Sequence, residues 1–232
     1  MWGLWGQDIS ISQLIASSYV MCWSAKWYKN DHVYFGSIHN DIYCNLDSIF
    51  DLLDEADVVC HYNGTKFDIP TLNKEFLLKG WKPPSTYKQI DLLKTARKQF
   101  KFPSNKLDYI AKALNVGKKL QHNKGHQLWI DCLNGDKNAW ETMEEYNKQD
   151  VLLLEKVYDR LLPWIPNHPN VLLYGDGSSA GCPTCGSTDL QKRGFSYTPS
   201  GKFQRYRCNS CGSWHRDTKS LFTVKMTKDK NG

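Results

Sequence analysis

The sequence predicts an α/β fold in which helices flank a mixed β-sheet, followed by a small C-terminal β domain. Three observations support this: two strand patterns near the N-terminus, an alternation of helix and strand patterns after them, and a Gly- and Ser-rich break late in the chain. The chain has 232 residues, enough for one large domain or two. Its apolar content of 41% and charged content of 23% are ordinary for a globular protein.

Strand and helix patterns alternate in the first half of the chain. In order, they predict a strand over 17–29, its hairpin partner over 32–38, an amphipathic helix over 46–56 and a short buried strand over 57–63. The next helix begins near Pro70 and ends at Gly80, since Pro suits a first helical turn and Gly suits a helix end. This order is typical of a layered α/β domain.

The second half adds one strand and several helices before the break. Residues 86–100 begin as a strand and continue as a helix, and further helices follow over 105–117 and 138–162. Three prolines in "PWIPNHPN" stop the last helix, and "YGDGSSAG" is typical of a linker. We therefore predict a first domain over 1–174, a linker over 175–181 and a second domain over 182–232.

The composition argues against two classes of protein. No apolar run approaches the roughly eighteen residues of a membrane-spanning helix. The opening "MWGLWGQDIS" lacks the basic and apolar regions of a secretory signal. We therefore expect a cytoplasmic, intracellular protein in which disulfides are rare, so that its eight cysteines are buried thiols or metal ligands.

The net charge of +6 is unevenly distributed along the chain. From Gly181 onward there are ten Lys or Arg and three Asp, whereas the first 180 residues carry twenty basic and twenty-one acidic side chains. The positive excess therefore lies in the C-terminal segment. A small basic segment favours a polyanionic partner, although composition alone is equally compatible with a solvated tail.

Four cysteines form two pairs with the spacing of a metal site, Cys182-x-x-Cys185 and Cys208-x-x-Cys211. Each Cys-x-x-Cys turn presents two thiolates to one ion, and the Gly that follows supplies the positive φ that the turn needs. Two such turns complete a tetrahedral zinc site. The pattern predicts a zinc ribbon stabilised largely by one structural Zn²⁺, with disulfides or unrelated thiols as the alternatives.

Basic and aromatic residues alternate between the two cysteine pairs. In "LQKRGFSYTPSGKFQRYRC" they flank a Ser-Gly turn, which predicts a β-hairpin. Basic side chains suit phosphate contacts and aromatic ones suit base stacking, so the candidate nucleic-acid-binding residues are Arg193, Lys202, Arg205 and Arg207. The segment resembles the ribbons of transposon-encoded DNA-binding proteins, of the form CPxCG…G…RYRCxxCG. A ribbon that only docks on another protein is the alternative.

The helix pattern over 138–162 places Tyr146 and Asp150 four residues apart, and hence on one face. A predicted core stripe lies one step round that helix and consists of Val151, Leu154, Val157 and Leu161. Asp150 therefore lies at the border of the buried face. A carboxylate there is costly unless it is paired or bound to a metal ion.

A second carboxylate, Asp68, follows the strand over 57–63 in the stretch "CHYNGTKFDIPTLNKEF". Locally it could cap the following helix, or it could hold a metal ion. Asp91, which follows "YKQI", is equally compatible with a helix cap and with a position near the same face as Asp68.

Together the two carboxylate motifs resemble the DEDDy branch of the DEDD exonucleases, an RNase H-like group that includes the proofreading domains of family B DNA polymerases. The second motif of that branch is Asn-x-x-x-Phe/Tyr-Asp, here Asn63 to Asp68, and the third is Tyr-x-x-x-Asp, here Tyr146 to Asp150. Between them, "SNKLDYIAKALNVGKK" is similar to the Leu-Asp-x-x-Ala helix of the family. The resemblance covers roughly residues 2 to 165.

The resemblance implies 3′–5′ exonucleolytic cleavage of single-stranded 3′ ends of DNA, with RNA as the alternative substrate. It implies two divalent cations, Mg²⁺ or Mn²⁺, held by four carboxylates. In that arrangement Asp150 ligates the ion on the nucleophile side, Asp68 holds the other through water, and Tyr146 orients the attacking water. Asn63 and Phe67 shape the pocket for the terminal nucleotide.

The first motif of the family, Asp-x-Glu on the first strand, does not occur before Asp68. The opening "MWGLWGQDIS" is similar to the segment just after that strand. We therefore expect either a truncated or split reading frame, with the strand supplied by an upstream segment or a separate chain, or a different function. That different function is a catalytically inactive nucleic-acid-binding protein on a truncated nuclease fold.

Overall fold

A computed structural model describes residues 18–120, 124–174 and 180–225. The chain divides into two compact units, Met1–Asp159 and Arg160–Gly232. The predicted linker over 175–181 falls within the second unit, and its residues 175–179 lie outside the described residues. The opening stretch of the sequence, up to residue 17, also lies outside them.

The elements of the first unit follow the predicted alternation. In chain order they are β1 (Cys22–Lys26), β2 (Val33–Ser37), α1 (Leu46–Glu55), β3 (Val58–His61), α2 (Asp68–Leu78), β4 (Lys88–Asp91), α3 (Leu92–Gln99), α4 (Leu107–Ala113), α5 (Gln127–Leu133) and α6 (Lys137–Leu161), whose last two residues belong to the second unit. Of these helices, α5 is the one that the sequence did not predict. Among the described residues, no helix combines the length and apolar character needed to cross a bilayer.

The strands of the first unit pair in both orientations. β1 and β2 are antiparallel, with Ser24 opposite Phe35, whereas β3 and β4 are parallel and place His61 beside Asp91 at their C-terminal ends. This combination confirms the predicted mixed α/β class. The described strands form two separate two-stranded sheets, so within the described residues β1 and β3 each have a partner strand on one side only.

The main core of the first unit joins β1 to helices α1 and α2. Its buried members are Trp23, Cys44, Leu46, Ile49, Leu53, Leu72 and Phe76. The Trp23 indole N–H donates to the Cys44 carbonyl oxygen at 2.7 Å, which satisfies the polar atom of this buried ring. Val59 of β3 packs against the same cluster, so the hairpin and the parallel pair share one core.

Helix α6 carries a second core near its N-terminus and a buried stripe further along. Near the N-terminus, Ala139, Trp140 and Met143 pack against α5. Along the stripe, the predicted burial of Val157 and Leu161 is confirmed, but Leu153 is buried in place of Leu154. Asp150 precedes Leu153 by three residues and Val157 by seven, so it lies on the buried side of the helix.

The described part of the second unit is a β-ribbon. β5 (Leu190–Tyr197) and β6 (Gly201–Cys208) form the predicted hairpin. Two short strands, β7 (Trp214–Arg216) and β8 (Phe222–Thr223), also pair with β6, which is therefore the central strand. Two 3-10 turns, Leu162–Trp164 and Val171–Leu173, precede the ribbon in the same unit. The second contacts the ribbon, because the Val171 N–H donates to the Pro183 carbonyl oxygen at 2.8 Å.

Candidate active site

The loop between β3 and α2 holds the second motif in a defined conformation. Asn63 has a φ of 67°, in the left-handed region that Asn tolerates better than most residues. A Cβ at Gly64 would lie 2.6 Å from Cγ of the His61 ring, so glycine is required there. The Gly64 N–H donates to Nδ1 of that ring at 3.1 Å. The loop is therefore packed tightly onto the end of β3.

Asp91, at the end of β4, ties this loop to helix α3. Its Oδ1 accepts from the Asn63 backbone N–H at 2.9 Å and from the Leu93 backbone N–H at 3.1 Å. The residue is only 7% exposed, and its Oδ2 lies 4.0 Å from Nδ1 of His61. Asp91 therefore caps α3, and the same carboxylate positions the loop that leads to Asp68.

Asp68 is the first residue of α2 and lies at the surface. The N-cap position belongs to Phe67, which is 52% exposed, and no side-chain capping hydrogen bond forms there. Partial desolvation of the Asp68 carboxyl by the protein around it raises its pKa, and the nearby His61 ring offsets part of that rise. Asp68 is therefore not the cap of its helix, which removes one of the two local interpretations of this residue.

Tyr146 and Asp150 contact a common side chain, Lys119. The Lys119 ammonium forms an ion pair with Asp150 and donates to the Tyr146 hydroxyl at 3.0 Å. Burial raises the pKa of the Asp150 carboxyl, and Lys119 together with a hydrogen bond from Tyr146 offsets part of that rise. We call these three residues, Lys119, Tyr146 and Asp150, the α6 cluster.

The Leu-Asp helix α4 positions Lys119 within this cluster. Asp108, in the first turn of α4, accepts the Lys119 backbone N–H on its Oδ1 at 3.0 Å. Burial lowers the pKa of the Lys119 amine, but Asp150 and Tyr146 outweigh this effect and the pKa is raised. The α6 cluster therefore contains a charged ammonium group held by a backbone contact and by two side chains.

The structure brings Tyr146 and Asp150 together and places Asp68 in a second group, with His61 and Asp91. Over the ranges 18–120, 124–174 and 180–225, the only set of three or more Cys, His, Asp or Glu side chains that could share a metal ion is the four-cysteine set of the ribbon.

The two Cys-x-x-Cys turns of the ribbon have matching geometry. The Gly186 N–H donates to the Cys182 carbonyl oxygen at 2.8 Å, and the Gly212 N–H donates to the Cys208 carbonyl oxygen at 3.0 Å. These glycines have φ values of 79° and 80°, which confirms the predicted need for glycine after each pair.

The four sulfur atoms lie within 4.8 Å of one another. The Sγ atoms of Cys182 and Cys211 are 3.6 Å apart, and those of Cys185 and Cys208 are 3.7 Å apart. A tetrahedral ion with metal–sulfur bonds of about 2.3 Å requires separations of about 3.8 Å. The four thiols therefore fit one metal ion.

The sheet register divides the candidate basic residues of the ribbon between two faces. Arg205 lies opposite Arg216 on β7, and Arg207 lies opposite Trp214. Lys202 alternates with these arginines along β6 and lies on the other face, where its ammonium is 3.8 Å from the centre of the Phe195 ring. The four residues predicted to bind nucleic acid therefore do not form one surface.

A comparison with known families identifies the larger unit. A family model described as RNase_H superfamily matches residues 20–162. This chain belongs to the RNase H superfamily. No curated protein matches the sequence. Membership of this superfamily supports a fold of the type found in nucleic-acid-processing nucleases. RNase H-like nucleases typically use divalent metal ions.

The RNase H-like unit offers a position for such an ion at Asp150. Among the described residues, Asp150 Oδ1 is buried and has no hydrogen-bond partner. One carboxylate oxygen therefore remains for ligation, and carboxylate oxygen is the ligand that Mg²⁺ and Mn²⁺ prefer. The other oxygen is held by Lys119. The α6 cluster therefore supplies one carboxylate oxygen, which is too few ligands to hold a divalent cation without others.

Sequence reasoning missed three residues next to these sites. Lys119 is one of two lysines in "VGKK", and the pattern alone does not show which one faces α6. Trp129 of α5 lies edge-on to Tyr146 with ring centroids 6.5 Å apart, on a helix too short to give a clear period. His215 places its Nε2 3.1 Å from Cys182 Sγ, a contact that depends on the β6–β7 register.

Proposed function

We propose that this protein is a 3′–5′ exonuclease that hydrolyses phosphodiester bonds at single-stranded 3′ ends of DNA, and that its C-terminal zinc ribbon binds nucleic acid. The observation that carries the proposal is the α6 cluster. There a tyrosine hydroxyl lies beside a carboxylate on a helix of an RNase H-like unit, and one buried oxygen of that carboxylate has no hydrogen-bond partner among the residues that the structure describes.

Each motif residue has a distinct role in this proposal. Asp150 ligates a divalent ion through Oδ1, and Asp68 holds a second ion through water from the start of α2. Tyr146 donates a hydrogen bond that orients the attacking water. Asn63 and Phe67 form the pocket for the terminal nucleotide, and Asp91 holds Asn63 in place through its backbone. The bound ions, Mg²⁺ or Mn²⁺, supply charge neutralisation at the scissile phosphate.

The set of carboxylates is incomplete within these 232 residues. A two-ion site of the DEDD type has four carboxylates, and the chain has no Asp-x-Glu. β1 and β3 also each have a partner strand on one side only within the described residues, while both pack on one core. We propose that a strand carrying Asp-x-Glu, in an upstream segment or a separate chain, pairs with these edges and completes the site.

Degradation of a 5′-labelled single-stranded DNA tests the proposal. The 232-residue chain alone should degrade it poorly, and addition of an upstream segment with Asp-x-Glu, in cis or in trans, should produce Mg²⁺-dependent shortening from the 3′ end. In that completed form Asp150→Ala should abolish cleavage, whereas Tyr146→Phe should slow it and leave Mn²⁺ binding intact. If the 232-residue chain degrades DNA rapidly and neither Asp68→Ala nor Asp150→Ala changes the rate, the assigned site is wrong.

One observation favours a second function, a catalytically inactive nucleic-acid-binding protein. Lys119 already neutralises Asp150 through an ion pair, so the α6 cluster is stable without a metal ion. Under this alternative the completed chain binds single-stranded DNA but leaves its length unchanged in Mg²⁺ or Mn²⁺. The same degradation assay separates the two functions.

A further inference from the structure

One face of the ribbon concentrates arginine side chains. Arg205 lies directly opposite Arg216, and Arg207 lies opposite Trp214. Arg193 joins the same face, because it donates to the side chain of Gln191, which is the β5 partner of Arg207. All four arginines are exposed. We call this surface, formed by Arg193, Phe203, Arg205, Arg207, Trp214 and Arg216, the arginine face.

Repulsion between the arginines of this face destabilises the ribbon, and few acidic side chains in the ribbon are there to neutralise them. Like charges directly opposite each other on neighbouring strands are destabilising, and Arg205 and Arg216 form such a pair. Residues 180–225 contain only two acidic side chains, Asp189 and Asp217, against eight lysines and arginines. Asp189 is bonded to Asn209 and Asp217 to the Tyr206 hydroxyl, which lies on the opposite face. A polyanion is the partner that would relieve this repulsion.

Stacking holds two of these arginines over aromatic rings. The Arg205 guanidinium lies 4.8 Å from the centre of the Trp214 ring, and that of Arg216 lies 4.0 Å from the centre of the Phe203 ring. The Arg205 Nε–H also donates to the Arg193 carbonyl oxygen at 2.9 Å. Trp214 remains 52% exposed. The face therefore combines ordered positive charge with flat surfaces that can accept a nucleobase.

The opposite face provides an internal comparison. Lys192 and Lys202 lie there, with Tyr206 opposite Lys192 and with Phe195 under the Lys202 ammonium. These two strand lysines compare with four arginines on the arginine face, and their ammonium groups are point charges that lack the planar guanidinium.

We propose that the arginine face is the surface by which the ribbon binds single-stranded nucleic acid, with Arg193, Arg205, Arg207 and Arg216 on phosphates and Trp214 stacked on an unpaired base. The inference rests on the proposed nucleic-acid role of the ribbon and deepens it. It adds Trp214 and Arg216 to the binding residues and assigns Lys202 to the opposite, non-binding face. A single strand is favoured over a duplex because only unpaired bases present their faces to an aromatic ring.

Two matched double variants of the 232-residue chain test which face binds. Arg207→Gln/Arg216→Gln removes two charges from the arginine face, and Lys192→Gln/Lys202→Gln removes two from the other. Fluorescence anisotropy with a labelled dT20, at several salt concentrations and without Mg²⁺, gives affinity and salt slope. The arginine variant should bind about tenfold more weakly and lose about 1.4 from the slope of log affinity against log salt, because each single-strand phosphate contact contributes about 0.7. The lysine variant should change affinity less than twofold. Equal losses in both variants would overturn the assignment to one face.

Trp214→Ala tests the stacking contact. Tyr197→Ala is the matched control, because Tyr197 is another aromatic residue of the ribbon and is 70% exposed. Trp214→Ala should weaken dT20 binding about tenfold, since a base stacked on an aromatic ring contributes about 1 to 3 kcal/mol. It should leave binding to a duplex of the same length unchanged. Equal weakening on both DNAs, or none on dT20, would contradict the stacking role.

Zinc content confirms that each variant retains a folded ribbon. Failure of the exonuclease proposal appears only in the Mg²⁺-dependent degradation assay, so it is distinguishable from failure of the arginine face.

Discussion

Among single residues, Lys119 has a role that can be tested directly, because its ammonium contacts both Asp150 and the Tyr146 hydroxyl. Lys119→Met removes the positive charge that competes with a divalent ion for Asp150. Since a hydrogen bond to a charged group is worth about 1.5 to 3 kcal/mol, Mn²⁺ should bind this variant about tenfold more tightly. Isothermal titration or the Mn²⁺ electron paramagnetic resonance signal measures the change.

Lys118→Met provides the matched control, because Lys118 is an exposed neighbour in the same "VGKK" stretch. It should bind Mn²⁺ as the unaltered chain does. If both lysine variants bind Mn²⁺ with the affinity of the unaltered chain, Lys119 does not compete for the metal position.

Asp91 anchors two elements through one oxygen, and its loss should therefore cost more than the loss of an ordinary cap. Asp91→Ala removes the hydrogen bonds to the Leu93 and Asn63 backbone, with an expected cost of about 2 to 3 kcal/mol in the free energy of unfolding. Asp136→Ala is the comparison, since Asp136 caps α6 from an exposed position and should cost about 1 kcal/mol. Urea unfolding measures both, and equal costs would show that the Asn63 contact adds nothing.

The sequence predicts individual site residues where a motif fixes their spacing. Tyr146 and Asp150 share a helix face because they are four residues apart, and the structure places them together. From the sequence, Asp68 is compatible with a helix cap as well as with a metal site. In the structure the N-cap position of α2 belongs to Phe67, and the capping carboxylate is that of Asp91 on the following helix, α3. Lys119 could not be predicted, because its position depends on how a loop after α4 returns to α6 through the Asp108 contact.

Among the elements, the β1–β2 hairpin is tied to α6 by a buried ion pair. Lys26 is 7% exposed and pairs with Glu155, which also accepts the Lys29 backbone N–H at 2.7 Å. Glu155→Gln leaves the Lys26 ammonium buried without its counter-ion, so we expect a loss of about 2 kcal/mol in the free energy of unfolding. This loss is smaller than that for a fully buried pair because Glu155 is partly exposed. Glu144→Gln, which breaks an exposed pair with Lys148 on the same helix, should cost less than about 0.5 kcal/mol.

The pH dependence of this difference has a definite sign. Burial by itself would raise the pKa of Glu155, but Lys26 and the Lys29 N–H outweigh it and the pKa is lowered. A lowered pKa in the folded state means that the contribution is present above the ordinary glutamate pKa of about 4.3 and is lost as the pH falls through the folded value. The stability difference between Glu155→Gln and the unaltered chain should therefore shrink below about pH 4. A constant difference from pH 7 to pH 3 would contradict the ion pair.

The sequence predicts the longer elements better than the short ones. α1, α2 and α6 follow clear apolar periods, and the two hairpins follow their turn residues. Helix α5 has seven residues between two glycine-containing turns, too few to show a period. β7 and β8 have three and two residues and are strands only because β6 lies beside them. On α6 the buried stripe passes through Leu153 and not Leu154, one position away from the prediction, because packing against the rest of the unit sets which side of the helix is buried.

For the entire chain, we predict one tightly bound zinc ion, held by Cys182, Cys185, Cys208 and Cys211. Cys208→Ser should release the zinc and unfold the ribbon beyond about residue 181, because so small a unit depends on its metal, while the far-ultraviolet signal of the RNase H-like unit remains. Cys60→Ala, in β3 of the first unit, should retain the zinc. Metal analysis by mass spectrometry, together with circular dichroism, measures both outcomes, and purified protein without zinc would exclude this site.

The length of helix α6 has a consequence for how local unfolding exposes the α6 cluster. A helix of 25 residues extends about 37 Å, and α6 carries a core contact at Met143, the polar groups at Tyr146 and Asp150, and the hairpin anchor at Glu155. Fluctuations that expose Tyr146 or Asp150 backbone amides must therefore also release a packed core or a buried ion pair. Amide hydrogens between Met143 and Glu155 would then exchange with solvent only through the largest openings of the RNase H-like unit. The arrangement of Lys119, Tyr146 and Asp150 would then last as long as the folded unit itself, in contrast to sites carried on mobile loops.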